Sequence, residues 1–437
     1  MKQFDLCVVG AGSAGFAAGQ RARELGKTVA IVECERALAG LCILRGCMPA
    51  KTVLHSAEVA ETIEHASEVG VDAAGVRVDP QAIVERKRRI VREFAKDRIE
   101  EIKQFPLFRG ESRFVDERTL DVNGTIVRAE RFVLSMGSVM EKPSAGTFGD
   151  RPIITTDEAL EMTDLPAAIT VYGGGPVGCE FAQYFARLGV SVTLLQDAGE
   201  LLRNEDADVG QAVRQGLERD GVRVELNVSP DAAGEKGTGP VLFASGRHPN
   251  VSDFALENAS VEYSRDGIVV DETLRTANPR IYAAGDVIGR RMLVHVAVHC
   301  GGIAAENAFA QTPVRVDFDL YEAHGVYSQP EVGVAGLTER EAAKRGLRYR
   351  TASHNFSDHG RAITENALQG FVKILADESG KILGVTIVGE SAGELLQSAL
   401  TLLYFGANVR DVARIPHLHP TLAEILTFPA EELSRPA

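Results

Sequence analysis

Two stretches of this chain carry one pattern. In the first, the short apolar run Phe4–Val9 leads into Gly10-Ala-Gly12-Ser-Ala-Gly15. A helix-like stretch then reaches Leu25, Gly26 punctuates it, and the apolar run Lys27–Val32 ends on Glu33. Ala168–Gln196 repeats this at an offset of 163 residues, with Gly173, Gly175 and Gly178 falling on Gly10, Gly12 and Gly15. Strand, glycine turn, helix and second strand form the layout of a dinucleotide site. Residues without Cβ let the backbone approach a pyrophosphate at the helix N-terminus, and an acid closing the second strand bonds a ribose diol. The repeat therefore predicts two superposable Rossmann-like units and two dinucleotides. The units differ where Glu33 maps onto Gln196, so the second lacks the ribose-reading acid. Gln196 is neutral and Asp197 follows it. An anion beside a 2′-phosphate is unfavourable, so NAD(H) is favoured over NADP(H) unless Arg203 folds back.

Between the repeats, Gly40–Lys51 reads Gly-Leu-Cys-Ile-Leu-Arg-Gly-Cys-Met-Pro-Ala-Lys. Pro49 opens an amphipathic run, and proline suits a helix's first turn. Cys47 is thereby expected at or just before a helix N-terminus, where backbone N–H groups and the macrodipole favour negative charge. A thiol there ionises more readily and is a better nucleophile. The pair Cys42 and Cys47 reads as redox-active. The competing readings are two buried loop thiols and half a zinc site, the latter lacking a second Cys or His cluster. Cys7 is expected to be inert in the first strand, and Cys34, Cys179 and Cys300 to be packing residues.

At 437 residues the chain is expected to hold two to four domains. Its net charge of −14 argues against nucleic acid or an anionic membrane as partner. Six cysteines in such a length make no disulfide scaffold. The opening apolar run passes straight into glycines and lacks a secretory layout, and no membrane-spanning run is seen. The expected location is the cytoplasm, where a disulfide is usually transient and catalytic.

Helices are expected over about His55–Ala66 and Pro80–Lys103, with Arg86–Arg89 as a solvated face, and strands over Phe108–Val127. Asn227–Pro240 is turn-rich. From about Pro313 the runs become strand-like. Leu368–Leu375 and Lys381–Val388 bracket an Asp-Glu-Ser-Gly hairpin turn, and a helix over Gly393–Phe405 follows. The loop Ile415–Thr421 then presents His417 and His419, with Glu424 five residues past His419. A carboxylate so placed can fix an imidazole tautomer and hold its proton.

Taken in order, these motifs resemble the class I pyridine nucleotide–disulfide oxidoreductases, which include dihydrolipoamide dehydrogenase, glutathione reductase and mercuric reductase. The resemblance rests on Gly10–Gly15 with Glu33, Cys42–Lys51, Gly173–Glu180, Ser245-Gly246-Arg247-His-Pro-Asn250, Thr276–Asp286 and His419–Glu424. It implies an α/β fold: two Rossmann-like dinucleotide-binding domains plus a C-terminal α+β dimerisation domain. The FAD-binding domain would span 1–145 and 272–313, a shortened NAD(P)-binding domain 146–271, and the dimerisation domain 314–437. By the same resemblance, Asp286 contacts the flavin's ribityl chain and Val294 lies where the backbone approaches the ring. Lys51 and Glu180 form an ion pair near the reactive nitrogen, and Gly246 joins the cofactor-binding positions. Cys47 becomes the flavin-facing thiolate and Cys42 the attacker of substrate. His419 and Glu424 serve the other subunit's cysteines as base and orienting acid, so the chain is expected to be a homodimer. His417–Glu424 is most similar to the dihydrolipoamide dehydrogenase version, which points to a lipoyl-type disulfide. A glutathione- or mercuric-reductase-like paralogue is the alternative, though the chain shows no final cysteine pair and no cation cluster beside the cysteines beyond Arg45. Two departures stand out. Ala39-Gly-Leu41 replaces Gly-Gly-Thr, and 224–245 is too short for the expected strand meander. They motivate a further reading, a flavin-bound redox sensor or scaffold with weak NAD(P)H turnover.

Overall fold

The computed structural model describes residues 2–35 and 37–435. The chain divides into two compact units. The first comprises 1–50, 85–141 and 246–317. Its sheet places Lys2–Val9 between Val29–Glu33 and Thr125–Leu134, all parallel. Leu107–Arg109 adds a parallel edge beyond Val29–Glu33, and Ile281–Ala283 pairs parallel with the end of Thr125–Leu134. The strands Thr119–Val122 and Ser112–Asp116 continue it as an antiparallel meander. Val29–Glu33 is buried along its whole length. Parallel strands covered on both faces take such continuous apolar runs. The covering helices Ser13–Glu24 and Val294–Asn307 cross closely because Gly301 has no side chain; a Cβ there would lie 2.1 Å from the Ala14 carbonyl oxygen. The chain rejoins this unit at Gly246, where Arg247–Pro249 pairs antiparallel with Ser138–Met140.

The second unit comprises 51–84, 142–245 and the chain from 318 onward. It holds an all-parallel five-stranded sheet in the order Arg223–Glu225, Ser191–Leu195, Ala168–Tyr172, Val241–Phe243, Ile153–Ile154. The turn-rich stretch after Glu225 forms one helical turn, Pro230–Ala233, capped by Ser229, and then enters Val241–Phe243 directly. A separate antiparallel sheet runs His324–Val326, Glu331–Gly336, Ile382–Gly389, Phe371–Ala376, Arg350–Asn355. The helices Ala392–Tyr404 and Thr427–Ser434 pack on it over a core that includes Phe356, Ile387 and Leu396. The fold class read from sequence, mixed α/β with two Rossmann-like units and a C-terminal α+β part, is the one observed.

Local expectations need adjusting at several points. A single helix, Cys47–Glu64, replaces the one expected to begin near His55, and Pro49 sits in its first turn, where its missing N–H costs nothing. The hairpin strands run Phe371–Ala376 and Ile382–Gly389. The basic run on the helix Pro80–Ile102 is not all solvated, since Lys87 is buried. Cys7, Cys179 and Cys300 are buried as expected, whereas Cys34, at the end of a strand rather than inside it, is exposed.

The two glycine turns are sterically alike. Gly10 and Gly173 have φ of +98° and +116°, a region that side-chain-bearing residues rarely adopt. Gly15 and Gly178 lie so close to them that a Cβ would come within 1.8 Å of the Gly10 carbonyl oxygen and 1.7 Å of the Gly173 one. At Gly175 a Cβ would meet nothing within 4 Å. Gly178→Ala is therefore expected to lower unfolding free energy by about 3 kcal/mol, an overpacking cost, and Gly175→Ala by less than about 0.5 kcal/mol, as for a site without steric conflict. Denaturant titration of the two variants side by side checks this.

Candidate active site

Each glycine turn feeds a helix start that nothing caps. Gly12 and Gly175 are the N-cap residues of Ser13–Glu24 and Pro176–Arg187, both extended, without a side-chain cap and with no acid in the first turn. The first N–H groups of such helices are orphaned donors in the positive end of the dipole. No Cβ crowds the approach at Gly12 or Gly175. Uncapped donors, open space and missing side chains together fit a pyrophosphate at each turn.

The residue closing each second strand holds its turn in place. Glu33 accepts the Ala11 N–H at 2.7 Å through one oxygen and the Glu35 N–H at 2.8 Å through the other. Gln196, buried like Glu33, accepts the Gly174 N–H at 2.8 Å. The neutral amide thus keeps the turn-fixing hydrogen bond and gives up only the charge. Arg203 lies 3.6 Å from Asp197, both exposed, so the anion following Gln196 has a cation beside it.

The cysteine segment is built on the first turn. Gly40 (φ +78°) packs so close to Gly12 that a Cβ would stand 2.8 Å from the Gly12 Cα. Cys42 sits in a short helix, Gly40–Leu44, that the sequence reading did not foresee. Cys47 is the first residue of the helix Cys47–Glu64. Gly46 between them sits in tight surroundings, with the Cys42 Cα and the Leu41 carbonyl oxygen each 3.1 Å from where Cβ would be. Cys42 is half-buried and Cys47 exposed. The Cys42 thiol is pushed up, first by its hydrogen bond with Cys47 and then by burial. Just before this, Ala39 is buried with φ +107°, a glycine-like backbone carrying a methyl group.

Among the remaining first-unit candidates, Asp286 is half-buried and accepts the Ser138 hydroxyl at 2.7 Å. That hydroxyl is in turn held by Arg247 Nε at 2.9 Å. Gly246 is exposed with φ +114°. Val294 opens the helix Val294–Asn307, again with no side-chain cap. Among the described residues, no group of three or more His, Cys, Asp or Glu is placed to hold a metal ion.

In the second unit, Lys51 Nζ meets the two oxygens of Glu180 at 2.8 and 2.7 Å. The Glu180 side chain is 5% exposed and also accepts the Tyr327 N–H at 3.0 Å. The ammonium lies 4.5 Å above the Tyr327 ring, a cation–π contact the sequence did not announce. His419 Nδ1 lies 3.0 and 3.2 Å from the Glu424 oxygens. The His419 side chain is 76% exposed and that of Glu424 mostly covered. A second histidine, His359, reaches Glu424 from behind at 3.5 Å and is fully buried. His417 turns instead to the Val412 carbonyl at 3.2 Å. Tyr327 and His359 escaped the sequence reading because neither belongs to a local motif.

Removing the Lys51 ammonium leaves a buried carboxylate with one backbone donor. Lys51→Met is expected to cost about 2 kcal/mol, less than a fully buried pair because Lys51 is partly exposed, while Lys51→Met combined with Glu180→Gln recovers most of it; chemical denaturation reads both. Ala39→Gly relieves the strained φ and is expected to stabilise by about 1 kcal/mol, read as a higher thermal midpoint.

The family described as pyridine nucleotide-disulphide oxidoreductase matches residues 4–301, and its dimerisation domain matches 323–429. Dihydrolipoyl dehydrogenase of Bacillus subtilis (strain 168) is 32% identical, with 96% of each chain covered. Mercuric reductase of Bacillus cereus is 30% identical over 97% of this chain and 71% of its own length. Among solved structures, the HOCl-induced flavoprotein disulfide reductase RclA from Escherichia coli superposes with a TM-score of 0.86 at 23% identity, covering 98% of this chain and 99% of its own. Two consecutive domain matches and full-length relatives leave one assignment: the chain belongs to the pyridine nucleotide-disulphide oxidoreductase family.

Proposed function

We propose that this chain is an FAD-dependent, NAD(P)H-linked disulfide oxidoreductase acting as a cytoplasmic homodimer on a small dithiol or disulfide of the lipoyl type. The observation that carries the proposal is the Cys42–Cys47 pair, one thiol at a helix start and the other hydrogen-bonded to it. In this reading Gly10, Gly12, Gly15 and Glu33, with Asp286, Val294 and Gly246, serve FAD. Gly173, Gly175, Gly178 and Gln196 serve the nicotinamide nucleotide, and the chain beyond 314 joins the protomers. Lys51 and Glu180 are assigned to the flavin's surroundings. A lipoyl-type substrate is supported by the His417–Glu424 stretch and by relatives named dihydrolipoyl dehydrogenase.

When bound, FAD would supply two-electron transfer between reduced nicotinamide and the cysteine pair. The chain's own residues would then handle thiols and protons. Cys42, with its thiol pushed up, needs a base before it can attack. His419 of the second protomer takes that proton at Nε2, because Glu424 holds Nδ1. The Cys42 thiolate attacks one sulfur of the substrate disulfide, forming a mixed disulfide and releasing a thiolate, which His419 reprotonates. Cys47, as thiolate, then attacks the Cys42 sulfur, closing the internal disulfide and expelling the second substrate sulfur as a thiolate, which takes its proton from solvent. For a dithiol substrate the same steps run backward and NAD⁺ is reduced. Asp197 beside Gln196 favours NAD(H) over NADP(H), and Arg203, 3.6 Å from Asp197, weakens that preference.

A second reading, a flavin-bound redox sensor with weak nicotinamide turnover, draws on the single-turn connection at Pro230–Ala233. One experiment separates the two. Purified protein is mixed anaerobically with NADH, and separately with NADPH, while the visible spectrum is recorded. Reduction by NADH with a long-wavelength charge-transfer band, absent in Cys47→Ser, is the expected result. Flavin that neither nucleotide reduces would leave the sensor.

A further inference from the structure

His359 lies outside every motif, and its side chain is 0% exposed. It caps the short helix Gly360–Thr364, its Nδ1 accepting the Ala362 N–H at 3.5 Å. A backbone N–H can only donate, so Nδ1 must be the bare nitrogen and a neutral ring carries its proton on Nε2. That Nε2 is buried with no hydrogen-bond partner of normal geometry, and 3.5 Å from it stands Glu424 Oε1. A buried donor left unmet is costly, and the carboxylate is the acceptor within reach.

The ring has little freedom to turn away. Its backbone N–H is held by the Phe356 carbonyl at 3.0 Å. Its ring stands perpendicular to that of Phe428 at 6.0 Å, and His354 stacks on that same phenyl ring at 4.0 Å. Glu424, by contrast, has a long side chain on the short turn Leu422–Leu426, and its other partner, His419, is mostly in solvent. Burial holds the His359 pKa below the ordinary histidine range, with the neighbouring His354 and His419 working in the same direction and Glu424 against it. A neutral ring offers Glu424 a donor without cancelling its charge.

We infer that His359 is a positioning residue of the acid–base pair, its Nε2–H holding the Glu424 carboxylate in the orientation that His419 requires. This rests on the reading of His419 and Glu424 as acid and orienter. His419 remains the proton carrier at the surface, and His359 fixes the carboxylate from the buried side.

Two measurements test it, one of which needs no turnover. In ¹⁵N-histidine-labelled protein, the His359 ring, assigned by its loss in His359→Asn, is expected in the Nε2–H tautomer, with a resonance that moves in Glu424→Gln. The Nδ1–H tautomer, or a resonance indifferent to Glu424→Gln, overturns the inference. In steady-state kinetics, His359→Asn keeps a good helix cap but cannot reach Glu424. It is expected to lower kcat about fivefold, the weight of one modest hydrogen bond, at unchanged KM and nearly unchanged melting temperature. Added to Glu424→Ala, the same substitution is expected to cost nothing further. Additive losses, or a fall in melting temperature without loss of kcat, also overturn it. If no disulfide is turned over at all, the proposed function fails while the tautomer measurement still decides the role of His359; if His359→Asn does not fold, Glu424→Gln in the otherwise native chain decides it.

Discussion

Helix starts govern this molecule. Ser13–Glu24, Pro176–Arg187 and Cys47–Glu64 each begin at a residue the chemistry would use: Gly12, Gly175 and Cys47. The same electrostatics underlies all three. Unpaired N–H groups and the positive end of the dipole favour an anion, whether a diphosphate or a thiolate. At the two turns the exposed donors persist because no side chain caps them. At the third, the cysteine itself occupies the position.

The comparison of Glu33 with Gln196 shows how one side chain can carry two duties. Each accepts a hydrogen bond from the first turn's backbone, Ala11 N–H in one case and Gly174 N–H in the other. Only the glutamate adds a charge to offer a ribose. An amide at this position therefore preserves the turn while changing the recognition chemistry. Turn geometry and charge separate cleanly here because the geometric role needs only an oxygen.

The His419–Glu424 pair is arranged along a gradient of exposure. His359 is fully buried, Glu424 mostly covered, and His419 largely in solvent. An imidazole at the exposed end is open to a partner arriving from outside the chain, in keeping with the match to a dimerisation domain over 323–429.

Much of this was legible in the sequence because it is local. A glycine turn is a steric statement about neighbouring residues, so the repeat at Gly10 and Gly173 announced both parallel units. Pro49 and the apolar run after it located the helix start at Cys47. The hairpin at Asp377–Gly380 followed from turn chemistry, although its strands ended a residue or more away from the expected limits. What the residues could not show was anything made by chain segments distant in sequence. The Lys51–Glu180 ion pair that the resemblance implied is present, but Tyr327 meets Lys51, and His359 meets Glu424, only because separate elements pack together. The exposure of Cys34, the burial of Lys87 and the left-handed turn forced on Ala39 likewise depend on which surface the fold leaves open. The sequence alone determined the turns, the helix starts and the cysteine pair, because backbone sterics and dipoles act over a few residues. Only the tertiary structure decided which donors are orphaned, which ring lies over Lys51 and which stands behind the carboxylate, because those depend on burial and on distances that the order of residues does not contain.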